Sequence, residues 1–224
     1  MNPRPLIASK AHTAILASIL VAMAIAGGYA QHAGSIQRAL PTGHQMLRLD
    51  ASVLLVEWAS VFYVWKGIRR RNVVRLRELV GGRWQRPADI VADVALAALL
   101  WTAWVGIESA FSSSNAASGL LPRSALEAFV WIFVAFSAGV CEELVFRGYF
   151  QKQFLAMTGS VAAAIALQAF VFGIGHFYEG PWAVVKIILY GALFGMLAAW
   201  RRSLRPGMIA HVWSDLFGVV VFRG

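Results

Sequence analysis

Long apolar runs alternate with short polar connectors along most of this chain. A helix needs roughly 20 mostly apolar residues to cross a bilayer, with about 17 as a lower limit. Seven stretches approach that length: 13–30, 51–65, 90–107, 126–140 running on past Cys141, 160–177, 182–200 and 207–222. The second and the last are the weakest. The pattern predicts an all-α, polytopic transmembrane bundle of about seven spans. It divides into amino-terminal membrane helices (1–125) and a carboxyl-terminal helical core (126–224), within one membrane domain.

Composition narrows this further. The 224 residues are 59% hydrophobic and 14% charged, against about 25% charged in ordinary soluble domains. Too little polar surface is left to cover a water-facing globule. The net charge of +9 would suggest nucleic acid in a soluble protein. Here the basic residues fall between apolar runs, so the implied partner is the lipid bilayer and no nucleic acid. A single cysteine, Cys141, excludes an internal disulfide framework.

The basic residues also set an orientation. The one long polar connector, 66–87, carries Lys66, Arg69, Arg70, Arg71, Arg75, Arg77, Arg83 and Arg86, opposed by Glu78. The positive-inside rule places it in the cytoplasm. With seven spans the amino terminus (Arg4, Lys10) is cytoplasmic too, as are the connectors with Arg147 and Lys152 and with Arg201, Arg202 and Arg205. Arg38, Arg48, Arg123 and Arg223 then lie outside, and Lys186 lies within a span. The expected location is the inner or plasma membrane of a bacterium. The first run also reads as a signal peptide, with Gly28-Tyr29-Ala30 as a small-x-small cleavage site. Cleavage would leave six spans.

Charged side chains at bilayer depth are costly, so each normally has a partner or a task. Three places in the second half carry polar residues at depth: Glu142-Glu143 with Arg147, His176 after Gly173 and Gly175, and His211 with Asp215. Residues four apart share a helix face, so Glu143 is expected to pair with Arg147 and His211 with Asp215. Glu142 points elsewhere and stays free. The two glycines let another backbone approach. A hairpin turning at Thr158-Gly159 would put Glu142 and His176 at one level, each about 25 Å from the turn. There they could share a water. His211 reaches them only if the fourth helix projects well past the membrane. Elsewhere, Asp89 and Asp93 suit a helix start, Glu57 and Lys186 could pair across helices or Lys186 could snorkel, and Gly191 and Gly195 have a helix-packing spacing.

A carboxylate beside a neutral imidazole, with a bound water, is a general-base arrangement for hydrolysis. A second imidazole could stabilise the oxyanion of a tetrahedral intermediate. The set Glu142, His176, His211 and Asp215 could equally hold Zn²⁺ with one position open for water; whether it binds zinc or no cofactor stays open. Neither HExxH nor GxSxG occurs.

These residues resemble the CPBP family (CAAX protease and bacteriocin-processing) of intramembrane endopeptidases, which includes the prenyl-protein CAAX endopeptidase. The resemblance rests on Glu142-Glu143-x-x-x-Arg147, Phe172-x-x-x-His176 and His211-x-x-x-Asp215, in order on successive apolar helices. It implies that Glu142 and His176 activate the water and that His211 with position 215 binds or polarises the scissile carbonyl. Glu143 and Arg147 would support the site. The expected partner is a peptide or protein substrate in or at the membrane. Asp215 stands where the best-known eukaryotic members have Asn. Asp offers no amide donor when ionised, which favours a ligand or His-orienting role there. The alternative is a non-catalytic membrane immunity or scaffold protein that retains the fold; a proton-relay transporter fits less well, because no half-repeat is visible.

Overall fold

The computed structural model describes residues 5–32, 43–110 and 122–221. Arg4, Arg38 and Arg223, used above for orientation, and Phe222, the end of the last apolar run, lie outside the described residues. The chain is an all-α membrane bundle. Its helices are α1 (Lys10–His32), α2 (Gly43–Arg71), the short α3 (Leu76–Val80), α4 (Pro87–Ala110), α5 (Ala125–Glu143), α6 (Gln151–Thr158), α7 (Val161–Gly175), α8 (Pro181–Arg201) and α9 (Arg205–Val221). A π-helical segment, Leu144–Phe150, joins α5 to α6 without a break, and a 3₁₀ turn, Phe177–Glu179, follows α7.

Each of the seven apolar runs forms a helix. Among the described residues four continuous helical segments are long and apolar enough to cross a membrane: Lys10–Ala30, Pro87–Ala110, Ala125–Thr158 and Pro181–Arg201. Helix α7 is apolar but shorter, and α2 is long but carries Asp50, Glu57 and Lys66.

Local chemistry sets the boundaries. Ser124 caps α5 by accepting from the Glu127 N–H, and Ser160 caps α7 by accepting from Ala163. Between α6 and α7 the chain reverses at Gly159, whose φ of +70° is the left-handed turn a glycine adopts freely. The hairpin therefore turns where the sequence placed it. The fourth apolar run is much longer than its apolar part. From Ala125 to Thr158 it is one rod of 34 residues, about 51 Å at 1.5 Å per residue. That exceeds a hydrocarbon core of about 30 Å and supplies the projection that His211 requires.

The connectors at one end of the bundle are tied together. Leu204 donates its N–H to the Val80 carbonyl at 2.8 Å, Gly81 bridges Ser203, and Lys152 Nζ donates to the Glu78 carbonyl at 3.1 Å. The basic connector thus lies across the ends of α6, α8 and α9. Asp93 is fixed here by Trp84 Nε1 and Arg201 Nε, each at 2.7 Å. Asp89 accepts from the backbone N–H groups of Gln85 and Arg86, the cap role expected of it.

Helix α1 is joined to the carboxyl-terminal half. Gln153 Oε1 accepts from the Ile7 and Ala8 N–H groups at 3.0 and 3.2 Å. The Thr13 and Tyr149 hydroxyls meet at 2.9 Å. At the other end of α1, a Cβ on Gly28 would collide with the Phe177 ring. The Gly191 and Gly195 spacing packs α8 on α7, with room at 191 only for Ala169 of the facing helix.

Candidate active site

The site grows from the end of α5. Glu142 and Glu143 are the last residues before the π-helical segment, where Gln151 donates to the carbonyl of Phe146, five residues back. Such segments widen a helix by one residue per turn and often mark functional positions. Here it places Arg147 against α7 and α8 and Gly148 against α3 and the connector before α9. Gly148 has no side chain where Leu79 and Leu204 come within 3.2 Å of a Cβ position.

Glu143 and Arg147 pair as their spacing predicts, with 3.0 Å between Oε1 and a guanidinium nitrogen and both side chains 1% exposed. Arg147 is therefore an interior residue, not part of a connector as its position in the sequence suggests. Its contact with Glu143 is close but poorly aligned, and its three nitrogens make no hydrogen bond among the described residues. The guanidinium plane lies instead over the rings of Phe172 and Phe194, at 4.2 and 5.1 Å.

Helix α9 brings His211 to the same carboxylate. Its Nδ1 lies 3.2 Å from Glu143 Oε1. Its Nε2 lies 3.6 Å from Glu142 Oε2 and 3.9 Å from Asp215 Oδ2. Glu142 is thus beside an imidazole and not free as its helix phase implies. α9 crosses so that neighbouring acids, about 100° apart on α5, flank one ring. Asp215 is not the group that holds His211; Glu143 is. The crossing is close because Gly139 admits Val212 and Gly207 leaves room for Glu143 Oε2 at 3.1 Å from a Cβ position. Trp131 Nε1 donates to the Asp215 carbonyl at 3.1 Å, fixing α9 to α5.

His176 arrives differently. It caps the end of α7, with Nδ1 2.9 Å from the Phe172 carbonyl. Its ring meets Phe172 edge-on at 4.9 Å, and the His211 ring meets the same Phe172 at 6.2 Å. His176 lies within electrostatic reach of Asp215 and Glu179, but no direct contact joins it to Glu142. Gly173 makes the close approach expected of it, against Ile188 and Val184 of α8, whereas the space beside Gly175 is open.

Glu179, in the turn after α7, was not singled out by the sequence; an acid three residues beyond His176 is the available signal. It lies within reach of His176, Glu142 and Lys186, and burial raises its carboxyl above the usual range. Phe194, against Arg147, was also missed.

The expected pairing of Glu57 with Lys186 does not form. Lys186 Nζ bonds Glu108 at 2.7 Å, and the Tyr190 hydroxyl donates to the other oxygen of Glu108 at 2.9 Å. Nor do Glu142, His176, His211 and Asp215 gather around one metal position. Among the described residues no group of three His, Cys, Asp or Glu side chains is arranged to hold an ion.

The fold is thus a helical membrane bundle with a buried acid–imidazole cluster on its longest rod. Residues 124–217 match the family model of the Rce1-like type II CAAX prenyl endopeptidases, so this part of the chain is similar to that family. Neither a curated protein nor a solved structure matches the chain.

Proposed function

We propose that the protein is an intramembrane endopeptidase that hydrolyses a peptide bond of a membrane-associated substrate, with Glu142 as the base that activates water. The observation that carries this reading is the state of Glu142. Its Oε2 is buried, without a hydrogen-bond partner among the described residues, and 3.6 Å from His211 Nε2. A carboxylate oxygen in that position accepts a proton from a water lying between it and the imidazoles. Attack on the carbonyl carbon forms the tetrahedral oxyanion. When both nitrogens of His211 carry protons, Nδ1 donates to Glu143 and Nε2 is available to the oxyanion. The proton held by Glu142 passes to the leaving amine as the C–N bond breaks. His176 is the second group assigned to the water. Glu143 and Arg147 hold His211 and the rod in place.

The geometry supports this scheme without a metal, because the four residues that could have served as ligands do not share a coordination centre. Cleavage is accordingly expected to survive treatment with a strong chelator. The family match makes a carboxyl-terminal CAAX-type peptide the first substrate to offer.

The test uses purified protein in liposomes, with a farnesylated CAAX peptide and an unprenylated, membrane-anchored peptide of the same sequence, and reads products by mass spectrometry. Glu142→Ala and His176→Ala should each reduce cleavage by about 100-fold or more, the usual range for removing a positioned acid or base. Wild-type rates in either variant overturn the assignment.

A further inference from the structure

Helix α2 brings one more carboxylate to this site. Glu57 stands where α2 packs against α5, and it is 7% exposed. It lies within electrostatic reach of Glu142, His211 and Asp215, with Cys141 close to both Glu57 and Glu142. Neither oxygen of Glu57 has an aligned hydrogen-bond partner among the described residues. The Ser137 hydroxyl is beside it, but one hydroxyl carries one proton and can serve one oxygen. That hydroxyl also faces Cys141 Sγ at 3.8 Å.

The lysine and the arginine that could compensate Glu57 are committed elsewhere. Lys186 is held by Glu108, and Arg147 by Glu143. A buried acid with an unsatisfied oxygen, beside other carboxylates, works against folding. Groups kept under such conditions inside a membrane bundle mark functional positions. Glu57 and Glu142 thus present two buried acceptors, on different helices, to the neighbourhood of one imidazole.

We propose that Glu57 is a further residue of the reaction site, accepting a hydrogen bond from a bound molecule: a backbone N–H of the substrate or the attacking water. The inference rests on the endopeptidase reading. It extends the site beyond residues 124–217, the part that carries the family match, into the amino-terminal half. One acceptor oxygen there suits an extended peptide, whose N–H groups lose water on entering the bundle and need partners.

The experiment compares wild type, Glu57→Gln, Glu57→Asp and Glu142→Ala on the two membrane-anchored peptides in liposomes, with thermal unfolding of each protein. Glu57→Gln keeps one carbonyl acceptor but loses the charge, so it should lower kcat/KM by about threefold or more, the difference between a charged and a neutral hydrogen bond. Its unfolding midpoint should hold or rise, because a poorly satisfied acid is removed. Glu57→Asp should recover part of the activity. A loss in KM assigns the bond to the substrate N–H, and a loss in kcat at constant KM assigns it to the water. Unchanged kinetics in Glu57→Gln overturn the proposal, as does a loss matched by a lower unfolding midpoint, which would mark a structural contact to Ser137. If Glu142→Ala keeps the wild-type rate, or wild type cleaves neither peptide, the reading of the whole site falls, whatever Glu57 does.

Discussion

Two ion pairs buried among the described residues are built to opposite plans. Glu108 and Lys186 join α4 to α8 at 2.7 Å, and Tyr190 supplies the second carboxylate oxygen. Every strong acceptor of that acid has a donor of its own. Glu143 and Arg147 lie on one helix at 3.0 Å, yet the guanidinium nitrogens are poorly aligned and rest on aromatic faces. Glu143 Oε1 is shared with His211. The first arrangement is closed and can only hold two helices together. The second keeps unused hydrogen-bonding capacity beside an imidazole that has two more acids within 4 Å, the capacity on which the proposed reaction draws.

The contrast can be broken from either side. The largest effect is expected from Arg147→Leu, which strands Glu143 in the interior. Removing one partner of a buried pair costs about 3–5 kcal/mol. Denaturant unfolding in detergent should show it, together with loss of peptide cleavage. Lys186→Met should cost about 3 kcal/mol, the low end of the same range, because Tyr190 still serves Glu108. The double change Glu108→Leu with Lys186→Leu should restore most of that stability. In both proteins cleavage per folded molecule should stay at the wild-type rate, and a fall would show that the pair belongs to the site. Phe194→Leu removes one of the two rings against Arg147. It should cost about 1–2 kcal/mol in unfolding free energy from the desolvated cation–π contact.

The smallest effect concerns Glu179. Its folded-state pKa lies above that of the unfolded chain because of burial. The protonated form is therefore the one the fold prefers. Stability from this group is fully present below the unfolded-state value and is lost as pH rises through the raised folded value. Glu179→Gln should stabilise the protein at neutral pH and make no difference in acid, measured as unfolding midpoints across pH.

What could be read in advance followed from spacing within one helix. The Glu143–Arg147 pair, the reversal at Thr158-Gly159 and the packing role of Gly191 and Gly195 all depend on residues close in the chain. Partners between helices were not legible in the same way. Lys186 has two acids on other helices that spacing alone cannot rank, and it takes Glu108, which lies 78 residues away. Glu142 was assigned away from its neighbour's face because phase along α5 says nothing about how α9 crosses it. The π-helical segment was invisible for a different reason: a period close to 3.6 is assumed when helix faces are assigned, and one extra residue per turn changes the assignment for everything beyond it.

That extra residue has a consequence for how the two ends of the rod are phased. Excising one position between Leu144 and Phe150 would let the backbone close into ordinary turns, and the helix would remain continuous. Seven residues at the wider winding turn about as far as six ordinary ones, so the segment beyond the cut would keep its angle to the segment before it. A residue excised from the ordinary turns on either side would instead rotate one end by roughly 100° against the other. Gln153 would then swing away from the Ile7 and Ala8 amides it now holds, or the acids would swing away from α9. The rod therefore works as a keyed shaft that tolerates a lost residue at one place along its length and nowhere else.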